Sequence, residues 1–249
     1  MSDRKRRILI VNDDGIYADG LLRLAREAVK WGEVYVVAPD SQRSAASHSL
    51  TINDPIDIHP VDLKVDGVKA FSCSGLPTDC VRIGSLCVMP RKPDIVFSGI
   101  NNGFNAGTDI QYSATVSAAL DAAMCGLPAI AFSEGFTDDQ RKSPWGHIVT
   151  DTYLPVVVEE LFSEELKPGV VINVNFPDCD PSECKGILRD RKVSMNTPYL
   201  DDYRVEETFP DGGKRYSIHW LNRDHADEGT DLRALIDGYV SIGIVNNIS

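Results

Sequence analysis

The sequence lacks the features that mark several classes of protein. It contains no run of about 18 apolar residues that could cross a membrane as a helix. The apolar stretch at residues 8–11, which follows a basic start, is too short for the core of a secretion signal. Its six cysteines form no C-x-x-C pair and match no zinc-binding spacing. We therefore expect a cytoplasmic protein whose thiols are free.

Common nucleotide-binding motifs and an excess of positive charge are also missing. There is no G-x-x-x-x-G-K-[ST], which excludes a P-loop NTPase, and no G-x-G-x-x-G after the first predicted strand, which disfavours a dinucleotide site. The 25 Lys and Arg residues are outnumbered by 37 Asp and Glu residues, for a net charge of −12. Duplex nucleic acid requires clustered Lys and Arg, so we do not expect it as a partner. A phosphorylated small molecule would need a cation to bridge it to the carboxylates.

What the sequence does contain is typical of a globular α/β protein. Apolar residues make up 43% of the 249 residues, enough to bury a sizeable core in either one large domain or two small ones. Short apolar runs that suit buried parallel strands alternate with segments of helical periodicity. This alternation predicts a doubly wound, mostly parallel, Rossmann-like sheet. The predicted strands are residues 8–11, 34–38, 94–97, 129–132 and 170–174, and the predicted helices are residues 21–29, 77–86, 113–125 and 150–161.

Less regular segments complete this outline. Residues 51–72 mix apolar residues with Asp, His and Pro, which favours short extended segments or a hairpin at a sheet edge. Gly32 is the expected C-cap of the first helix. A short helix at residues 230–236 and a strand at residues 239–242 are predicted near the end of the chain.

The polar segment after residue 177 predicts a β-hairpin. Its turn is Asp211-Gly212-Gly213, between extended runs at residues 205–209 and 215–219. A hairpin of this kind buries little surface on its own. We therefore expect residues 179–223 to form an extended appendage that contributes to subunit contacts.

The sharpest chemical signal is Asn12-Asp13-Asp14-Gly15, directly after the first predicted strand. In open α/β sheets, ligands bind at the carboxyl ends of the strands. Two adjacent carboxylates close to an apolar core repel each other and are costly to desolvate unless positive charge lies nearby. A divalent cation such as Mg²⁺ or Mn²⁺, which prefers oxygen ligands, would offset both costs. The alternative is that Asp13 or Asp14 caps the next helix or faces solvent.

Two loops and one helix start are expected at the same edge of the sheet. The loop at residues 40–49 is rich in small hydroxyl side chains, and the loop at residues 98–107 is rich in Gly and Asn. Glycine permits close approach of the backbone, and an Asn amide can donate to an anion or offer its oxygen to a metal. The next helix begins near Ser113 and Thr115, where hydroxyls and free N–H groups suit an anion. Because these segments all follow parallel strands, we expect them to line one site.

In this order, the motifs resemble the SurE family of metal-dependent 5′-nucleotidases. The resemblance implies a SurE-type α/β fold in a single domain over residues 1–249. It also implies hydrolysis of nucleoside 5′-monophosphates, with 3′-monophosphates and short polyphosphate as further substrates. It also implies homodimers or homotetramers joined through the C-terminal appendage. The matching pieces are ILIVNDDGIYADG at 8–20, VVAPDSQRSAASHSLT at 36–51, GLPTDCV at 75–81, PDIVFSGINNGFNAGTDIQYSATVSAALDAA at 93–123, and GTDLRALIDGYVSI at 229–242.

The same resemblance implies a metal centre with four protein ligands. Carried over onto this sequence, these ligands are Asp13, Asp14, Ser44 and Asn101. All four supply oxygen, as a hard cation such as Mg²⁺ or Mn²⁺ prefers. We expect one divalent cation per subunit, with Asp13 and Asp14 as the catalytic residues.

For substrate binding, the hypothesis is that Asn105, Ser113 and Thr115 hold phosphate oxygens together with nearby backbone N–H groups. Arg43 and His48, in the loop at residues 40–49, are further candidates. His48 could protonate the leaving alkoxide or have a structural role. The nucleophile is water or one of the aspartates, and the sequence does not separate these routes.

Two other interpretations stay open at this point. A phosphoacceptor receiver module also places an acidic pair after its first strand to hold Mg²⁺. That module needs an Asp at the end of its third strand, whereas the comparable strand here ends in Ser98-Gly99. An acidic interaction protein would bind a cation without catalysing any reaction.

Overall fold

The computed structural model describes residues 5–135, 145–163 and 166–246. Within these ranges the chain forms eleven strands and five α-helices. The strands are β1 (Arg6–Val11), β2 (Gly32–Pro39), β3 (Ile58–Val61), β4 (Val68–Cys73), β5 (Ile95–Asn102), β6 (Ala129–Glu134), β7 (Val171–Phe176), β8 (Ile187–Arg191), β9 (Tyr199–Thr208), β10 (Lys214–Asn222) and β11 (Val240–Val245). The helices are α1 (Asp19–Ala28), α2 (Pro77–Ile83), α3 (Ala114–Met124), α4 (Ile148–Ser163) and α5 (Asp231–Ile236).

Nine of these strands form one sheet, in the order β3-β4-β2-β1-β5-β6-β7-β11-β8. The six strands from β4 to β7 in that order are parallel to one another. From β1 the chain builds the sheet first towards β2 and β4, and later towards β5, β6 and β7. The order therefore reverses between β1 and β5, and a crevice opens at such a point beyond the carboxyl ends of the strands. The prediction of a doubly wound, mostly parallel α/β fold is confirmed.

Both faces of this sheet are covered by helices. Alternate residues of β1 point to opposite sides, because side chains alternate along a strand. Ile8 and Ile10 join a buried cluster with α1 and α4. Leu9 and Val11 join a second cluster with α2 and α3. This two-sided burial explains why the parallel strands are continuous apolar runs in the sequence.

The periphery differs from the prediction in three places. Gly32 is the first residue of β2 and not a helix C-cap, and a Cβ at this position would lie 2.2 Å from the carbonyl oxygen of Arg6 in the neighbouring strand. Helix α2 ends at Ile83 and continues as a π-helical turn over Gly84–Val88. Strand β8 lies inside the segment predicted as an appendage, yet it pairs with β11 at the edge of the main sheet.

Other predicted features are present as expected. Strand β3 pairs antiparallel with β4 at a sheet edge, and β9 and β10 form a separate antiparallel hairpin around Asp211-Gly212-Gly213. The six cysteines all lie in the described ranges and are free thiols. Among the described residues, no helix has the length and apolar character needed to span a bilayer.

Helix α1 approaches the end of β5 very closely. A Cβ built on Gly20, in the first turn of α1, would lie 2.2 Å from the carbonyl oxygen of Ile100. Real Cβ atoms do not tolerate such a distance, so only glycine allows the helix to pack there. Ile100 directly precedes Asn101, and this contact therefore supports the edge of the sheet where the site is expected.

We predict that Gly20→Ala destabilises the fold, although alanine favours helix formation over glycine by about 1 kcal/mol. The added methyl group must displace α1 from β5, and overpacking of this kind costs about 1–3 kcal/mol. Urea denaturation measures the difference. Arg26→Ala, on the exposed side of the same helix, should leave the free energy of unfolding nearly unchanged. A Gly20→Ala protein as stable as the unmodified chain would show that the packing argument is wrong.

Candidate functional site

The turn after β1 is closed by its own asparagine. Asn12 donates from Nδ2 to the carbonyl oxygen of Gly15 (2.9 Å) and accepts from the Gly15 N–H at Oδ1 (3.3 Å). Gly15 has a φ of +105°, which a side chain would strain. The tight turn places Asp13 and Asp14 at the carboxyl end of β1, beside the point where the strand order reverses.

Asp13 lies beside Asn101 from the end of β5. The hydroxyl of Thr115, in the first turn of α3, donates to Asp13 Oδ1. The same Thr115 oxygen lies 3.4 Å from Asn101 Oδ1. Asn101 donates from Nδ2 to the carbonyl oxygen of Gly103 (2.8 Å), which turns its Oδ1 towards Asp13 and Thr115. A carboxylate oxygen and an amide oxygen are thus brought together.

The loop after β2 is tied to both aspartates. The backbone N–H of Arg43 donates to the carbonyl oxygen of Asp13 (2.7 Å). Gln42 donates from Nε2 to Ser44 Oγ (2.9 Å), and its side chain opposes the rise in the pKa of Asp14. Asp14 also accepts from the backbone N–H of Asn102 (3.1 Å). Ser44, Asp13 and Asn101 line the same cavity.

Burial makes the charged form of both aspartates unfavourable. Burial and, after it, the charge of Asp14 raise the pKa of Asp13 to about 7, although the hydrogen bond from Thr115 opposes the rise. Burial likewise raises the pKa of Asp14; the Asn102 N–H opposes that rise, while the charge of Glu134 adds to it. A positive charge between the two carboxylates would reverse both effects.

The donor set fits a hard divalent cation. Asp13 and Asp14 offer carboxylate oxygens, Asn101 offers an amide oxygen and Ser44 a hydroxyl, all of which Mg²⁺ and Mn²⁺ accept as ligands. Within the described ranges no group of three or more His, Cys, Asp or Glu side chains is arranged to hold a metal. A cation at this site would therefore depend on the two neutral side chains as well as on the two acids.

The cavity in front of these residues has a volume of about 690 Å³. Its far wall is the base of the β9–β10 hairpin, where Asp201 pairs with Trp220 and Tyr203 pairs with Ile218. Because side chains alternate along a strand, these residues share one face of the hairpin. Away from Asp13, the cavity is lined by residues of the loop after β5 and of the hairpin and the segment before it: Phe104, Thr108, Asp109, Gln111, Tyr112, Thr197, Tyr199, Asp201, Tyr203, Ile218 and Trp220. The cavity thus joins a polar end beside Asp13 to an aromatic end.

The predicted phosphate-binding residues are distributed unevenly. Asn105 and Ser113 line the cavity. Ser113 is also the N-cap of α3 and accepts from the Val116 N–H (3.0 Å), so it marks the helix end whose N–H groups suit an anion. Thr115 has a different contact from the predicted one, because its hydroxyl is used by Asp13.

Arg43 and His48 lie away from the cavity lining. The Arg43 guanidinium donates to Asp40 Oδ1 (3.2 Å) and to the carbonyl oxygen of Ser74 (3.1 Å). His48 Nε2 lies 3.6 Å from Asp121 Oδ1, and Asp121 is fully buried and also paired with Arg82. The structure therefore groups His48 with a buried ion pair under the loop and not with Asp13 and Asn101.

Several neighbours of the site were not foreseen from the sequence. Gln42 bridges Asp14 and Ser44, and Glu134 at the end of β6 raises the pKa of Asp14. No local pattern marks either residue. The spacing of the aromatic residues in the hairpin does indicate their position. Tyr199, Asp201 and Tyr203 lie two positions apart, which places them on a single face of β9.

Comparison with known proteins agrees with this fold. A family model described as the survival protein SurE matches residues 8–197. A protein named 5′-nucleotidase SurE from Rhodopseudomonas palustris is 36% identical over 95% of this chain and 91% of its own length. Its namesake from Clostridium botulinum is 38% identical over 94% of this chain and 90% of its own length. The crystal structure of the SurE protein from Aquifex aeolicus superposes with a TM-score of 0.80 at 33% identity, covering 98% of this chain and 94% of the other.

We predict that, in the presence of a chelator, Asp13 destabilises the fold as the pH rises. Its pKa rises from an ordinary 3.8 to about 7 in the folded state, so folded protein holds a proton that unfolded protein releases. The free energy of unfolding should therefore fall between about pH 4 and pH 7. Asp13→Asn removes this penalty and should stabilise the protein at pH 8 by on the order of 2 kcal/mol, with less effect at pH 4.

Urea denaturation at the two pH values measures this difference. Asp66→Asn, which removes an exposed carboxylate, is the matched control and should change stability little at either pH. An Asp13→Asn protein that is less stable than the unmodified chain at pH 8 in chelator would contradict the burial argument.

Proposed function

This chain belongs to the SurE family, and we propose that it is a metal-dependent 5′-nucleotidase that hydrolyses nucleoside 5′-monophosphates to nucleoside and phosphate. The relatives named 5′-nucleotidase SurE cover nearly the whole chain. The observation that supports the proposal is that Asp13, Ser44 and Asn101, from three loops, line one cavity where the strand order reverses, while Asp14 follows Asp13 and accepts from the Asn102 N–H. The proposal extends to 3′-monophosphates and short polyphosphate.

In this proposal, Asp13, Asp14, Ser44 and Asn101 hold one divalent cation per subunit, Mg²⁺ or Mn²⁺. When bound, the cation supplies positive charge against the transferring phosphoryl group. The chain itself sets the position of the ligands. Thr115 orients the Asp13 carboxylate, and Gln42 links Asp14 to Ser44.

The remaining phosphate oxygens face the start of α3. We assign to Asn105 and Ser113, which line the cavity, the role of donating hydrogen bonds to them. The free N–H groups of the first turn of α3 add favourable dipoles. Negative charge that develops on the phosphoryl group during transfer is stabilised by these fixed donors.

Hydrolysis needs a nucleophile and a proton for the leaving group. Water attacks the phosphorus, the bond to the ribose oxygen breaks, and a carboxylate oxygen of Asp13 or Asp14 accepts the proton of the attacking water. Direct attack by an aspartate is the competing route. His48 is not among the residues that line the cavity, so in this proposal the ribose alkoxide takes its proton from solvent.

The aromatic end of the cavity accounts for the nucleoside. Tyr199, Tyr203 and Trp220 line the wall formed by the hairpin, and Phe104 and Tyr112 line the loop beside it. Aromatic side chains offer flat apolar surfaces to a nucleobase. We infer that the base lies at this end while the phosphate lies beside Asp13.

The experiment that tests this function is phosphate release from a panel of nucleoside 5′-monophosphates, with glycerol phosphate as a substrate without a base. We expect release with Mg²⁺ or Mn²⁺, little release in chelator, and a lower kcat/KM for glycerol phosphate. Asp13→Asn should lower kcat by about 10²-fold or more, because it removes a charged ligand from the transition-state site. Asp66→Asn should retain full activity.

Three outcomes would contradict parts of this proposal. Turnover in chelator would contradict the metal requirement. An Asp13→Asn protein that keeps most of its activity would contradict the assigned metal centre. A chain that becomes stably labelled by a small phosphodonor, without release of phosphate, would instead be a phosphoacceptor module. The end of β5 carries Asn101 and Asn102 where that module needs an aspartate.

We also propose that the chain forms a homodimer or homotetramer through the β9–β10 hairpin. The face that lines the cavity continues towards the hairpin tip as Val205 and Tyr216, which pair across the strands and are 49% and 56% exposed. A two-stranded hairpin with one apolar face is marginal on its own and is stabilised when that face is covered. A second copy of the chain is the occupant that the hairpin would cover symmetrically.

Light scattering should therefore give two or four times the chain mass of 27.3 kDa. Tyr216→Lys places a charge in the apolar face and should shift the population towards monomer. Glu206→Lys, at a neighbouring exposed position of the same hairpin, should leave the assembly intact. A monomer at micromolar concentration for the unmodified chain would contradict this proposal.

A further inference from the structure

The side-chain carboxamide of Asn175 forms two hydrogen bonds with the backbone of Asn105. The Asn105 N–H donates to Asn175 Oδ1 (2.9 Å), and Asn175 Nδ2 donates back to the Asn105 carbonyl oxygen (3.1 Å). This reciprocal pair is what two opposed residues of neighbouring strands exchange. Asn175 is fully buried and Asn105 is 6% exposed, so the two bonds are shielded from water. A side chain of β7 therefore replaces a strand partner for the loop.

Two further side chains complete the hold on Asn105. Asn173 precedes Asn175 by two positions on the same face of β7, and its Nδ2 donates to the same Asn105 carbonyl oxygen (2.8 Å). Ser133, from the adjacent strand β6, accepts from Asn105 Nδ2 at Oγ (2.8 Å). The backbone of Asn105 is thus set by β7 and the orientation of its side chain by β6.

The cost of this arrangement indicates a purpose beyond sheet stability. The neighbours of the two asparagines in β7 are Val171, Ile172, Val174 and Phe176. Burying a carboxamide in such a strand is unfavourable unless its polar atoms are paired. An apolar residue would serve the sheet equally well, whereas only a donor and acceptor together can hold the loop.

These contacts leave one side-chain N–H of Asn105 for the cavity. The Asn105 amide nitrogen carries two hydrogens, and Ser133 uses one of them. Asn105 lines the cavity that also contains Asp13 and Ser113. The second hydrogen is therefore available to an anion, at a position fixed by β6 and β7 and not by the loop itself.

We propose that Asn175, assisted by Asn173, is a positioning residue for the phosphate site and acts by fixing the depth of Asn105 in the cavity. The inference rests on the proposed function, because it takes the occupant of the cavity to be a phosphate group. Displacement of a binding group by about 1 Å can cost as much as 10²-fold in rate. Neither asparagine touches the substrate in this account.

The test compares Asn175→Leu with the unmodified chain. Leucine has a similar size, but it leaves both the N–H and the carbonyl oxygen of Asn105 without this partner. We expect the KM for a nucleoside 5′-monophosphate and the dissociation constant of inorganic phosphate to rise about tenfold. The dissociation constant of Mn²⁺ should stay within about twofold, since the hydrogen bonds of the Asn175 side chain within the described residues go to Asn105 and not to the four proposed ligands.

Calorimetry with Mn²⁺ alone and with inorganic phosphate in the presence of Mn²⁺ gives both constants without any turnover. Ser241→Ala is the matched control. Ser241, in β11, lies opposite Asn175 of β7. It is 1% exposed, and its Oγ has no hydrogen-bond partner in the described structure. It should leave both constants unchanged.

A second variant keeps the proposal testable if Asn175→Leu does not fold. Asn173→Leu removes a single hydrogen bond to Asn105 and should raise the phosphate dissociation constant by a smaller factor, about threefold. Hydrogen exchange of a peptide covering residues 103–107 should become faster in either variant, which reports loss of the hold directly.

Each outcome separates the two claims. If phosphate binds and Asn175→Leu weakens it but the unmodified chain has no turnover, the proposed function fails and the positioning role stands. If turnover is normal and phosphate binding in Asn175→Leu matches that in Ser241→Ala, the positioning role is overturned alone. A loss of Mn²⁺ affinity as large as the loss of phosphate affinity would also overturn it, because the variant would then have disturbed the whole site.

Discussion

The central constraint on this structure is a pair of adjacent carboxylates, one buried and one half-buried, in the middle of a parallel sheet. Asp13 is 4% exposed, and it is followed directly by a second acid at the end of the strand that lies in the middle of the fold. Burial raises the pKa of both groups, and the charge of Asp14 adds to the rise at Asp13 while that of Glu134 adds to the rise at Asp14. An uncompensated pair of this kind would be selected against for stability alone. Its presence therefore argues for a positive charge that arrives from outside the chain.

The surrounding loops are organised around that constraint. One hydroxyl, that of Thr115, contacts both Asp13 and Asn101, while the loop after β2 reaches the acids through Gln42 and the Arg43 backbone. Asn105 is set in the same way by side chains of β6 and β7. Side chains of α3, β6 and β7 thus anchor the turn after β1 and the loop after β5, both of which contribute to the cavity. This anchoring positions polar groups more accurately than free loops can.

Much of this arrangement could be predicted from the sequence because it follows from alternation and topology. Short apolar runs separated by helical segments predict a parallel sheet, and loops that follow such strands must meet at one edge. The proposed neutral ligands Ser44 and Asn101 carry no such pattern, and only resemblance to a family indicates them. The prediction that Gly32 is a helix C-cap is wrong. Glycine after a helix is common at a C-cap, but here it permits β2 to pair closely with β1 at Arg6. The hairpin wall of the cavity and the contact of Asn175 with Asn105 join residues far apart in the chain, so no local pattern predicts them. The two asparagines in the otherwise apolar strand β7 are the one feature of the sequence that indicates the second contact.

One measurement addresses the central claim directly: diffraction from crystals soaked in Mn²⁺, recorded at the manganese absorption edge. The account predicts one anomalous peak per subunit, enclosed by oxygen atoms of Asp13, Asp14, Ser44 and Asn101. A peak at any other position, or none between the two aspartates at saturating Mn²⁺, would contradict it.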